Sequence, residues 1–201
     1  MTEKTRKALL VVDVQNDFCP GGALPAPNGA QVVKPLNGAI AHFHKNHWPV
    51  FLSRDWHPEE TKHFKAFGGL WSPHCIQNTR GAEFHPDLQF GSSISYIISK
   101  GMDPDVIDSY SPFKGTAYGC MLDELLRAHW IKELYIGGLA TDYCVKNAVL
   151  DACKLKYTTY LLTNACRAVN LKPGDGALAI NEMINAGVIE ITTDEVLHEV
   201  R

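Results

Sequence analysis

Three residues able to take part in acyl transfer follow separate apolar runs of the sequence. Asp13 ends the first run, Lys100 follows the third, and Cys144 comes shortly after the fourth. A carboxylate that is partly removed from water has a raised pKa and can act as a general base. A lysine beside it can hold charge and can lower the pKa of a neighbouring thiol. Each residue also has an ordinary interpretation, as a capping Asp, a solvated Lys and a packed thiol.

The surroundings of Cys144 distinguish it from the other five cysteines. Residues 137–144 have the pattern of a strand end, a turn and a helix start, with Thr141 or Asp142 as the N-cap. The thiol would then lie in the first helical turn, where unpaired amides and the helix dipole favour the thiolate. The same amides could bind a developing oxyanion. The sequence therefore predicts a nucleophile at this position.

Residues 55–94 show neither helix nor strand periodicity and are rich in metal-ligating side chains. Asp55 and His57 are two residues apart, so an extended chain would point both the same way, and His63 and His74 follow. Two or three histidines with one carboxylate suit Zn²⁺, Fe²⁺ or Mn²⁺. We expect a divalent metal site in this long loop, with zinc as the favoured ion.

Aromatic residues in the predicted loops could bind a flat ring. Phe18, Trp71 and Tyr110 lie outside the periodic segments, and aromatic side chains readily stack on one another and on ligands. Core packing or anchoring of the loops is the alternative, and for Tyr110 it is the favoured one.

The elements that must position these residues alternate between strand and helix. Strands are predicted at 8–14, 49–53, 95–99, 133–139, 158–163 and 188–192, and helices at 29–47, 117–130, 142–156 and 173–186. This order predicts a three-layer α/β/α fold with a six-stranded, mostly parallel, Rossmann-like sheet. Ligands bind beyond the carboxyl ends of such strands, where Asp13, Lys100 and Cys144 would meet.

Composition restricts the class of protein. The chain has 201 residues and a net charge of −3, which favours a single domain over 1–201 and gives no support for nucleic-acid binding. No apolar run could span a bilayer, and the polar start Met1–Lys7 does not resemble a signal peptide. Six cysteines without a CxxC pair predict free thiols in the cytoplasm. The sequence allows a homo-oligomer and leaves the oligomeric state open.

Several short motifs in order resemble the nicotinamidases (pyrazinamidases) of the isochorismatase-like cysteine hydrolase superfamily. The resemblance runs from about Ala8 to Thr192. The motifs are VVDVQNDF at 11–18, GGAL at 21–24, SRDWHP at 53–58, WSPHC at 71–75, GAEFHP at 81–86, KG at 100–101 and GLATDYCV at 138–145. One departure is Pro112, within 108–113, where a smaller residue is expected.

The resemblance implies roles for particular residues. Ala140 and Cys144 would supply the backbone amides of an oxyanion hole, with a cis peptide entering Ala140. Phe18 and Trp71 would enclose a pyridine ring. The catalytic triad would be Asp13, Lys100 and Cys144, and the metal ligands would be Asp55, His57 and His74, with His63 where some members have a fourth.

The activity implied by the resemblance is hydrolysis of nicotinamide to nicotinic acid and ammonia through a thioester, as a step of NAD salvage. Pyrazinamide would be hydrolysed as well. The nearest alternative is another amidase of the superfamily that acts on a ureido or carbamoyl compound. A metal-binding scaffold protein without catalytic activity is the alternative from a different class.

Overall fold

The apolar runs form one open sheet in the computed structural model, which describes residues 6–91, 95–107 and 109–198. The strands are β1 (Lys7–Val12), β2 (Val50–Asp55), β3 (Ser95–Lys100), β4 (Thr116–Ala117), β5 (Cys120–Met121), β6 (Glu133–Leu139), β7 (Thr158–Arg167) and β8 (Ile189–Ile191). The helices are α1 (Val33–Lys45), α2 (Leu122–Ala128), α3 (Lys146–Lys154), α4 (Asp175–Asn185) and α5 (Thr193–His198).

The sheet has the strand order β5-β4-β3-β2-β1-β6-β7-β8. All pairings from β3 to β8 are parallel, whereas β4 and β5 add an antiparallel edge. The mostly parallel α/β fold is therefore confirmed, but the prediction of six strands is wrong because the sheet has eight.

The two additional strands form a hairpin where the sequence predicts the start of a helix. Tyr118 and Gly119 connect them with φ values of 53° and 80°, the positive values that a tight two-residue hairpin turn needs. Strands of two residues are too short to show a period of two in the sequence. The helix predicted from Ala117 consequently begins only at Leu122.

The last helix, α5, was not predicted, although the sequence carries a signal for it. Thr192 Oγ1 accepts a hydrogen bond from the Glu195 amide at 3.3 Å, and the Glu195 carboxylate accepts one from the Thr192 amide at 2.7 Å. This reciprocal pair is a capping box, which marks a helix start. Helix α5 has only six residues, which is too short to show a clear helical period in the sequence.

Helices cover both faces of the sheet, so the central strands are buried on both sides. Leu10 and Val12 of β1 pack in one cluster with residues of α2, α3 and α4. Leu9 and Val11 pack in the other cluster with residues of α1 and α5. This double burial explains why the strands are continuous apolar runs.

Two further features follow from the described residues. All six cysteines lie among them and are free thiols. Within the described ranges, no helix combines the length and the apolar character needed to cross a membrane.

The order of the central strands brings three chain segments together at the carboxyl edge of the sheet. β1 lies between β2 and β6, and Val12 at its end pairs with both Ser53 and Gly138. In the neighbouring pair, Asp55 lies directly opposite Lys100. Residues that follow these strands therefore share one crevice.

Candidate active site

Lys100 is the centre of a buried polar cluster at this edge. Its Nζ lies 2.8 Å from Asp13 Oδ2 and 3.5 Å from Cys144 Sγ, and it also forms an ion pair with Asp55. The side chain is 1% exposed. Burial alone would lower the pKa of Lys100, but the neighbouring carboxylates raise it well above its usual value. The lysine is therefore a fixed positive charge between two carboxylates and a thiol.

Asp13 is held by contacts on both oxygens. Ser53 Oγ donates a hydrogen bond to Oδ1 at 2.7 Å, and Lys100 occupies Oδ2. Burial raises the pKa of Asp13, and the attraction of Lys100 opposes this only in part. The expectation of a buried carboxylate with raised basicity is thus confirmed.

Cys144 lies in a wide helical turn that the sequence did not predict. Residues Thr141–Val145 form a single π-helical turn that leads into α3, directly after the cis peptide bond between Leu139 and Ala140. No side chain caps this turn, so the prediction of Thr141 or Asp142 as N-cap is wrong. The Asp142 carboxylate instead accepts hydrogen bonds from the amides of residues 169 and 170.

The protonation state predicted for Cys144 is also wrong. Burial raises the pKa of the thiol well above its usual value, and Lys100 compensates only in part. The thiol therefore rests in its neutral form and needs a base before it can attack. The carboxylates of Asp13 and Asp55 and the sulfur of Cys144 all lie within 4.8 Å of one another, which puts such a base within reach.

Three buried histidines form a second cluster beside the first. The ligand atoms of His57, His63 and His74 lie within 4.8 Å of one another. Asp55 Oδ2 faces this cluster, 3.7 Å from His57 Nε2 and 3.9 Å from His74 Nε2. The structure thus brings together all four residues that the sequence singles out as candidate metal ligands.

The orientation and charge of these histidines suit a divalent metal ion. Each Nδ1 lies within hydrogen-bond distance of a backbone carbonyl, at 3.0 Å for His57 and 2.7 Å for His63 and His74. Such contacts leave Nε2 as the ligand atom and fix the ring. Burial lowers the pKa of His74 to about 4, so this imidazole is neutral at neutral pH. His57 Nε2 is buried and makes no hydrogen bond, as expected of an atom that faces an ion.

A small pocket connects the two clusters. Its space, including the opening to solvent, is about 380 Å³. Tyr110 lies at its edge and accepts a hydrogen bond from Trp71 Nε1 at 2.9 Å. Residues on its wall include Cys144, Ala140, Asp55, His63, His74, Phe18, Trp71 and Tyr110. The predicted aromatic residues therefore do surround this space.

Comparison with known sequences places the chain in a family. The model of the isochorismatase domain matches residues 7–195. The chain belongs to the isochorismatase family. Within this family it is 42% identical to the nicotinamidase of Escherichia coli over 198 residues, which cover 90% of this chain and 92% of that one.

Solved structures of the isochorismatase family share the fold. Pyrazinamidase of Pyrococcus horikoshii in complex with zinc is 40% identical, with a TM-score of 0.85, over 93% of this chain and 99% of that one. The yeast nicotinamidase bound to the inhibitor nicotinaldehyde is 26% identical, with a TM-score of 0.82, over 92% and 99% of the two chains.

Two further residues, Tyr143 and Ser53, shape this site although the sequence did not indicate a role for them. Tyr143 lies on the pocket wall and contacts Trp71 edge to face, with ring centroids 4.8 Å apart. Ser53 contacts Asp13, but it is an ordinary strand residue in the sequence. Near Tyr110, Pro112 begins a 3₁₀ turn whose cap is Ser111, so the proline is accommodated there. Asp108, in the same motif, lies outside the described residues.

Removal of Lys100 is expected to destabilise this isochorismatase-family protein strongly. Lys100→Met leaves Asp13 and Asp55 as buried carboxylates without their cation, and breaking a buried pair in this way costs about 3–5 kcal/mol. Urea unfolding of the metal-free protein measures the loss. The control is Lys62→Ala, which removes an exposed ion pair with Asp105 and should leave the midpoint unchanged. Equal midpoints for both variants would contradict the central role of Lys100.

Proposed function

We propose that the protein hydrolyses nicotinamide to nicotinic acid and ammonia, and that it also accepts pyrazinamide. The observation that carries the proposal is one pocket in which Cys144, with its buried partners Asp13 and Lys100, lies beside a cluster of candidate metal ligands. The activity named for the Escherichia coli relative supports the same reaction. Such an activity would serve NAD salvage.

The first half of the proposed reaction forms a thioester. The Asp13 carboxylate removes the thiol proton as Cys144 Sγ attacks the amide carbon, and Lys100 stabilises the negative charge. We assign the oxyanion to the backbone amides of Ala140 and Cys144, both on the pocket wall. The C–N bond then breaks, and Asp13 returns the proton to the departing nitrogen, which leaves as ammonia.

The second half releases the acid. Asp13, again a carboxylate, removes a proton from water, whose oxygen attacks the thioester carbon. The C–S bond breaks, the proton returns to the sulfur, and nicotinic acid leaves. One base therefore serves both halves, which is consistent with its burial beside the nucleophile.

We propose that Asp55, His57, His63 and His74 hold a divalent ion, with zinc as the favoured one. Their buried imidazoles and one carboxylate fit this ion. A bound ion would supply a Lewis acid for the pyridine nitrogen of the substrate, which would orient the carboxamide toward Cys144. Phe18 and Trp71 would pack against the two faces of the ring.

The experiment is ammonia release from nicotinamide by purified protein, with nicotinic acid quantified by chromatography and metal content measured in the same sample. Benzamide serves as the matched substrate, since it has the carboxamide but lacks the ring nitrogen. We expect release from nicotinamide and pyrazinamide, much slower release from benzamide, and about one zinc per chain.

The alternative is tested in the same assay with ureido and carbamoyl compounds. Release from these compounds without turnover of nicotinamide would contradict the proposed substrate. Equal rates for nicotinamide and benzamide would contradict the role proposed for the ring nitrogen.

A further inference from the structure

The side chain of Gln15, which lies outside the pocket, forms hydrogen bonds with both the amide and the carbonyl of Asp55. Gln15 Oε1 accepts a hydrogen bond from the Asp55 amide at 2.8 Å, and its Nε2 donates one to the Asp55 carbonyl at 2.8 Å. The same Nε2 donates to the Ala82 carbonyl at 2.9 Å. Gln15 is fully buried.

The reason for this arrangement lies in the ends of β1 and β2. The last backbone bond between them runs from the Asp13 amide to the Ser53 carbonyl, at 3.1 Å. At Asp13 the chain enters the left-handed region, with φ of 49°, and leaves the sheet. β2 continues for two more residues, to Asp55. The backbone amide and carbonyl of Asp55 on the β1 side therefore have no partner in the β1 backbone. The Gln15 amide takes the place of the missing strand.

We propose that Gln15 is a positioning residue that sets the metal affinity of the site by fixing Asp55. This inference rests on the proposed function, because it takes Asp55 to be a metal ligand. Asp55 also pairs with Lys100, so its carboxylate has one oxygen committed to the catalytic cluster and the other facing the histidines. A shift of the backbone would move both oxygens together.

The physical argument concerns buried backbone groups. Without the Gln15 amide, one N–H and two carbonyls would be buried without their present partner, and each such group has a substantial desolvation cost. The chain at Asp55 would relax to find other partners. Contacts that orient metal ligands from outside typically change metal affinity by roughly 10–100-fold when they are removed.

The test measures zinc affinity by competition with a chromogenic chelator, on protein first stripped of metal. Gln15→Met keeps the length of the side chain but removes all three hydrogen bonds, and we expect zinc to bind roughly 10–100-fold more weakly. Gln15→Glu keeps an acceptor for the Asp55 amide but faces two carbonyls, and is expected to weaken binding as well. Urea unfolding of each metal-free variant shows whether the measured protein is folded.

The matched control is Asn16→Ala, because Asn16 lies in the same segment as Gln15 but its side chain donates a hydrogen bond to the Arg80 carbonyl at 2.8 Å rather than to Asp55. Its zinc affinity should stay within about twofold of the parent, since surface changes of this kind have small effects. A merely structural Gln15 would lower the unfolding midpoint while the folded protein kept its zinc affinity, and this result would overturn the inference.

The outcomes also separate this inference from the proposed function. If the parent binds zinc tightly and Asp55→Ala loses it, but both Gln15 variants bind like the parent, only the positioning role is overturned. If the parent binds no zinc, the metal site of the proposed function and this inference are overturned together.

Discussion

Cys144→Ala is expected to lower the rate of ammonia release from nicotinamide by roughly four orders of magnitude or more, which is the scale on which loss of a nucleophile acts. The substitution removes only Sγ and leaves the ion pairs of Lys100 with Asp13 and Asp55 in place. The pocket walls should therefore remain, and nicotinamide should bind with an affinity close to that of the parent. Single-turnover kinetics and calorimetric titration measure the two quantities.

The control for this variant is Cys153→Ala, which removes a partly buried thiol from α3, the helix that follows Cys144. It should retain activity near that of the parent. Substantial deamidation by Cys144→Ala would show that another group is the nucleophile. Loss of both binding and turnover would instead indicate that the cysteine supports the pocket.

His57→Ala is expected to have the second-largest effect, through loss of the metal. It removes a buried imidazole whose Nε2 faces Asp55. Loss of a direct ligand should lower metal affinity by more than the roughly 10–100-fold that follows loss of an outer contact. We expect zinc affinity to fall by more than roughly 100-fold and KM for nicotinamide to rise strongly. Asp55→Ala should do the same and should in addition disturb Lys100.

The control is His85→Ala, since this histidine belongs to the same long segment but its ring accepts a hydrogen bond from the Asp87 amide at 3.2 Å, away from the cluster. Metal content by mass spectrometry and KM from initial rates should both match the parent. Full metal content in His57→Ala or Asp55→Ala would refute the assignment of the ligands.

The sequence by itself determined the α/β class and the residue types of the site. The central strands are buried on both faces, so apolar residues predominate in them. Asp13 and Lys100 could therefore be recognised as polar residues at strand ends. The Asp55–His57 spacing likewise indicated metal-ligating chemistry without any knowledge of the fold.

The tertiary structure decided how these residues are placed and what charge they carry. Burial keeps the thiol of Cys144 protonated, although its position near a helix start predicted a thiolate, because the cost of desolvation exceeds the local attraction. The roles of Ser53 and Gln15 depend on partners 40 residues away in the sequence. Hydrogen bonds across that distance leave no local pattern, so they exist only once strand order and register bring the segments together.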